Sequence, residues 1–430
     1  MPQPIPAPVK PTVNAKFSAD LYGFVEFDSI LDSTQSFTES AGNGVIAKRG
    51  TFAGNHRRLT YTARNSRIGL KLKGPESEDV RSSAILEMDF LGNQPPGVSE
   101  ASTFGNATFR FRHMALKLET PIVDLLAGQY WQLFGWQSYF HPNTVEIQGV
   151  PGQVYSRGTQ VRLSHAFKSE PVTVELAIAA ARPPQRDSAQ PDMQGGIRLL
   201  INNWKGWHTA GSTGTALDAA GIGVSCVYRR FRVNDFSGAP VSSNAKNAGG
   251  ISIDALIPII PGTADHRDNA LTLNGSFIVG TGIADLFTGL SGGIQFPALP
   301  NPSMATPVLT YTPNIDGGLV TYLVDATTGK GVLHSLDWEG FLLGLQYYLP
   351  GNVWVSANYS HMHSRNISLY AIGGMAGKVI KTSDWTDGNL FWDATKAIRF
   401  GAECAWFRQR FIDDTTATDY REQLSAFYIF

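Results

Sequence analysis

Arginines and lysines on the polar side of alternating segments are the residues best placed for chemistry. Arg64, Arg67, Lys71, Arg110, Arg112, Arg162, Arg198 and Arg399 all fall there. Guanidinium groups on a wall partly shielded from water attract carboxylates and phosphates and bind them through paired hydrogen bonds. Rings of Arg or Lys bias a pore towards anions. Any one of these side chains has an ordinary alternative, pairing with Glu26, Glu87, Asp89, Glu175 or Glu403 in a solvated lining. As a group they are expected to line a constriction.

A second set lies in the segment 135–154, between two well-formed strand patterns. It holds Tyr139, His141, Asn143, Glu146 and Gln148, with Trp131, Trp136 and Phe140 in or beside it. Folded into a lumen, this segment would face the basic wall and narrow the passage. The alternative is an external loop, and the inward fold is the expectation.

Other combinations carry less. His361 and His363 share a strand face, the spacing of a metal-binding pair, but a third ligand is not evident, and two polar rim histidines fit better. Asp316 and Asp413-Asp414 suit solvated loops better than calcium sites. Ser164 and His165 are adjacent on a strand and point to opposite faces, so they form no nucleophile–base dyad. Cys226 and Cys404 are the only cysteines, without zinc spacing, and read as two buried or lipid-facing thiols rather than a disulfide. No phosphate loop or dinucleotide motif is present. The expectation is no catalytic site, no metal and no cofactor.

The elements that position these residues are strands. From Phe17, apolar residues alternate with polar ones: Leu21, Val25 and Phe27 on one side, Tyr22, Glu26 and Asp28 on the other. In the second strand the parity slips near Asn65, as one inserted residue would cause, and Arg64, Arg67 and Lys71 then all face inward. The same pattern recurs to the end of the chain and yields sixteen strands. Alternate connections are short (74–80, 120–121, 169–170, 349–351, 394–396). Those between are long (31–56, 135–154, 234–248, 284–331, 365–382). Short turns at one rim and long loops at the other mark an outer-membrane β-barrel. The segment 284–331 is proline-rich, yet 318–325 reads as a strand, so eighteen strands are the lesser alternative.

The totals agree. The chain has 430 residues, mean hydropathy −0.11 and net charge −1. No apolar run of about 18 residues exists, which excludes a helical span but not a barrel, where only alternate residues meet lipid. The charge balance leaves no nucleic-acid footprint. Residues 1–16 form a Pro-rich leader, read as periplasmic, with Met1 an initiator on a chain whose export signal is removed. The barrel spans 17–430. The closing strand ends on Tyr428, Ile429 and Phe430, as a strand that seals a cylinder would.

With these residues in hand, the chain resembles porins of the DcaP-like type. The matching pieces are L-Y-G-F-V-E-F-D at 21–28, A-R-N-S-R-I-G-L-K at 63–71, L-E-M-D-F at 86–90, F-R-F-R-H at 109–113, L-L-A-G-Q-Y-W-Q-L-F at 125–134 and Q-L-S-A-F-Y-I-F at 423–430. The resemblance implies a homotrimer of 16-stranded barrels in the bacterial outer membrane, amid lipid and lipopolysaccharide. It implies passive uptake of small anionic solutes, notably dicarboxylates, through an eyelet to which Arg64, Arg67, Arg110, Arg112 and Arg162 contribute. Both termini would be periplasmic, and Tyr428 and Phe430 would be read by the barrel-assembly machinery. The short leader departs from the helical N-terminal extension that family members can carry. The competing readings are a non-selective general porin, a lipid-acting barrel enzyme, and an adhesin or phage receptor.

Overall fold

The computed structural model describes residues 17–41, 44–75, 79–92, 108–136, 144–145, 152–184, 188–211, 214–234, 243–287, 290, 320–324, 331–369 and 376–430. The first half of the wall is β1 (Ser18–Asp32), β2 (Arg58–Thr62), β3 (Arg67–Lys73), β4 (Arg81–Asp89), β5 (Arg110–Glu119), β6 (Asp124–Trp131), β7 (Arg157–Lys168), β8 (Val172–Ala181) and β9 (Asp192–Thr209). The second half is β10 (Thr215–Asn234), β11 (Ser243–Ile260), β12 (Leu271–Thr281), β15 (Asp337–Leu349), β16 (Val353–His363), β17 (Ile380–Asp393), β18 (Ile398–Phe411) and β19 (Thr416–Ile429). Between β12 and β15 lie β13 (Val320–Val324) and β14 (Gly331–Ser335).

Each wall strand pairs antiparallel with its neighbours, and β19 returns to pair with β1, so the sheet closes. Its seventeen strands make sixteen staves, because β2 and β3 both lie along β1. Asp28 sits opposite Thr62, whereas Phe24, four residues earlier, sits opposite Arg67, five residues later. One extra residue is therefore taken up at the break 63–66, where Asn65 Nδ2 donates to Asp28 Oδ2 at 2.7 Å. The strand signal at 318–325 is real, but β13 pairs only with β14, in a separate two-stranded sheet. The count stays at sixteen.

Sidedness follows the alternation. On β1, Val25 and Phe27 are exposed while Phe24, Glu26 and Asp28 between them are buried. Leu343, Leu424 and Tyr428 continue the exposed apolar shell, the sidedness of a barrel whose outer wall is covered by lipid or by another subunit. The two free thiols, Cys226 and Cys404, are exposed on this outer side. The long connections lie between β1 and β2, β4 and β5, β6 and β7, β12 and β15, and β16 and β17; at the same rim 182–191, 235–242 and 412–415 are shorter, so the connection expected at 234–248 is reduced by the strands on either side of it.

The core sits inside the cylinder and to one side. Phe37, Ile46, Val154, Leu286, Phe287 and Ile367, all from connections, join Phe231, Ile278, Trp338, Leu342, Trp385 and Phe407 from the inner faces of β10 to β18 in one apolar cluster. The basic residues gather on the inner faces of β3 to β9, beside a small apolar cluster of Leu133, Ala177, Ala179 and Trp136.

Candidate functional site

The ladder sets Arg67 opposite Asp89, and Asp89 opposite Arg110. Beside this row, the register of β4 and β5 shifts between Glu87 and Met88, so Arg112 and His113 are both buried inside the barrel although they are neighbours in sequence. Arg110 forks onto Asp89 through Nε (2.9 Å) and Nη2 (2.6 Å). Arg112 spans both carboxylates, Nε to Glu87 Oε1 at 2.8 Å and Nη1 to Asp89 Oδ2 at 2.9 Å, and Nη2 donates to the Tyr155 hydroxyl at 3.1 Å. Arg67 is held loosely, with Nε 3.8 Å from Glu87 Oε1 and the guanidinium 5.2 Å from the centre of the Phe24 ring.

Arg157 joins this group and was missed in the sequence. It lies opposite Trp131, its guanidinium 5.2 Å from the Trp131 ring and 5.9 Å from that of Tyr155. It has no carboxylate partner among the described residues, and its buried Nη1 has no hydrogen-bond acceptor. Parity counted back from Arg162 puts Arg157 outside, which hid it; Gly158 directly after it was the available hint of a strand end. Four guanidiniums thus meet two carboxylates, Glu87 and Asp89. The fully buried Arg229 and Arg421 are different, since Asp192 with Asp285, and Asp32, neutralise them.

A second group lines a cavity of about 420 Å³ along β3 to β9. Lys71, Arg162 and Arg198 are in its wall, with Tyr130 and Trp136. Lys117, Leu126 and Arg162 follow one another across β5, β6 and β7 in a single ladder row and so share a face. Arg198 Nε donates to Glu175 Oε2 at 2.6 Å, and its guanidinium covers Trp136 at 4.0 Å. Lys117 is neutralised by Glu119 (2.6 Å) and Asp124 (3.5 Å). Arg162 donates to Gln160 Oε1 and to the Trp131 carbonyl and meets no carboxylate among the described residues.

The remaining two sequence candidates stand apart. Arg64 binds Glu39 Oε1 (2.6 Å) and the Phe90 and Gly92 carbonyls, in the break between β2 and β3. Arg399 binds Asp393 Oδ1 (2.6 Å) and the Gly211 carbonyl (2.8 Å), at the rim of short turns. Arg64 thus pairs with a carboxylate of the connection between β1 and β2, whereas Arg67, Arg110 and Arg112 share Glu87 and Asp89.

Tyr139, His141, Asn143, Glu146 and Gln148 lie outside the described residues. The described parts of the same connection are tied to the inner wall. Leu133 and Phe134 N–H groups donate to Gln194 Oε1, and Gly135 N–H to Ser225 Oγ at 2.8 Å. Across the lumen, Val145 N–H donates to Asn389 Oδ1 of β17 at 2.9 Å, and Val145 packs with Tyr348, Trp354 and Phe391. Ser164 pairs with Asp124 and Ala177 on the inner face, while His165 meets the exposed Phe167 edge-on outside, so no dyad forms. His361 Nδ1 lies 2.7 Å from Asp384 Oδ1, and no three metal-ligating side chains converge among the described residues.

No protein-family model and no curated protein matches the chain. Solved structures do. The outer membrane channel DcaP of Acinetobacter baumannii superposes with a TM-score of 0.68 at 17% identity, over 96% of this chain and 97% of that one. An anion-selective porin from Comamonas acidovorans gives 0.52 at 10% identity, over 96% and 100%. Salmonella typhi OmpF gives 0.52 at 9% identity, over 96% and 97%. At such identities the likeness is one of fold: this chain is a closed 16-stranded antiparallel barrel built as the DcaP outer membrane channel is built.

Proposed function

We propose that this chain is a porin, a passive diffusion channel of the bacterial outer membrane that favours small anions, dicarboxylates among them. The observation that carries the reading is the charge imbalance on the inner wall. Among the described residues, Arg67, Arg110, Arg112 and Arg157 face two carboxylates, Glu87 and Asp89, and Arg157 pairs with neither. An excess of fixed positive charge in a low-dielectric wall is relieved by a mobile anion. The segment 135–154 narrows the passage by crossing from Ser225 to Asn389, a reading supported by the bonds of Gly135 and Val145. In this reading three copies associate, both termini are periplasmic, lipopolysaccharide surrounds the loop-side rim, and the assembly machinery engages Tyr428 and Phe430. Planar-bilayer recording tests it. The expected result is stepwise current, in threes, with a reversal potential under a KCl gradient that reports anion preference. Arg67→Gln combined with Arg157→Gln should lower that preference several-fold. A cation-biased channel, or one indifferent to both substitutions, rules the anion reading out.

A further inference from the structure

We propose that the cavity along β3 to β9 is a binding site for organic anions with an apolar body, such as arylacetates, set apart from the arginine group that biases the pore. The inference rests on the porin reading for the solute's route, but not for its binding.

Lys71 and Lys73 are exposed cations of the cavity wall, Lys71 over the Tyr22 ring at 4.6 Å and Lys73 4.0 Å from Asp20 Oδ2; the other cations are paired but for one. Arg198 is held by Glu175, and Lys117 by Glu119 and Asp124. Arg162 is the buried cation left without a carboxylate among the described residues. Its Nε and Nη2 are used on Gln160 and the Trp131 carbonyl, and Nη1 has no acceptor there. One free guanidinium nitrogen on a fixed side chain takes one carboxylate.

What surrounds Arg162 is apolar to a degree that a path for compact ions does not need. Leu126 is its direct neighbour in the ladder, with Ala179 on its other side. Tyr130 and Trp136 line the same space, and Ile85 and Ala115 lie opposite each other in its wall. Trp136 is fixed: Arg198 stacks on it, and a Cβ on Gly196 would come within 2.8 Å of its ring. A volume of about 420 Å³ accommodates a ring or a branched chain beside the carboxylate. An aromatic body gains by leaving water for such walls, where acetate gains nothing.

Calorimetric titration of the detergent-solubilised, folded protein with sodium phenylacetate and acetate tests this. Phenylacetate is expected to bind at least tenfold more tightly than acetate, which shares its carboxylate and lacks its ring. Trp136→Ala and, separately, Leu126→Ser should each erase most of that ratio, and Arg162→Gln should weaken phenylacetate about tenfold. Equal affinity for acetate and phenylacetate overturns the proposal, as does a ratio that survives both Trp136→Ala and Leu126→Ser. Failure of the porin reading shows separately, as absence of current steps in a bilayer.

Discussion

Arg112 and Arg157 sit on the same wall and answer to different physics. Arg112 is fully buried and bridges Glu87 and Asp89. Removing it leaves two buried carboxylates short of a partner, a loss of about 3–5 kcal/mol for a broken buried pair. Arg157 neutralises no carboxylate among the described residues, so its removal leaves no charge stranded. Arg112→Gln is therefore expected to lower the urea midpoint of the refolded barrel markedly, while Arg157→Gln leaves it nearly unchanged. Equal loss in both would show that the ion pairs do not hold this wall. The sequence revealed which arginines face inward, because facing follows parity. It did not reveal height or partners. Arg64 and Arg67 are three residues apart, yet one binds Glu39 from a distant connection and the other approaches Glu87. Arg157 escaped because parity has no meaning across a strand end.

Among the elements, β1 makes the closure, and Gly23 is the point of least tolerance. It lies opposite Ile68, where β3 resumes after the inserted residue, and exchanges two backbone hydrogen bonds with Phe430 at 2.9 and 3.0 Å. Its φ is +154°, and a Cβ there would lie 2.2 Å from the Arg67 carbonyl oxygen. A side chain must therefore push β1 off β3 at the seam. Strain of this kind costs about 1–3 kcal/mol before any pairing is lost. Gly23→Val is expected to reduce the fraction of protein that migrates as a compact, heat-modifiable band on unheated gels; an unchanged band would mean that the seam adapts. The inserted residue near Asn65 was legible, since a slip in an alternating pattern has few other causes. The place of β13 was not. Five residues of strand-like sequence say nothing of which partner they find, and Val320–Val324 pairs with Gly331–Ser335 rather than with the wall.

For the molecule as a whole, net charge says little about selectivity, because charge is sorted by position. The chain totals −1, with 35 Lys and Arg against 36 Asp and Glu. Carboxylates such as Asp32, Asp192 and Asp285 are spent on Arg421 and Arg229, away from the β3 to β9 wall. In the anion-channel reading, the excess at Arg67 and Arg157 is what a permeating ion would meet. Its reach depends on salt. The screening length is about 10 Å at 0.1 M and about 3 Å at 1 M, so fixed wall charge governs the middle of a passage in dilute electrolyte and little beyond contact in concentrated electrolyte. Anion preference is accordingly expected to be strong when the KCl gradient is set around 0.1 M and to fall several-fold when the same ratio is set around 1 M. The Arg67→Gln, Arg157→Gln double variant should start lower and vary less with salt. Preference that stays constant across this range would place selectivity in the width of the passage, not in its charge.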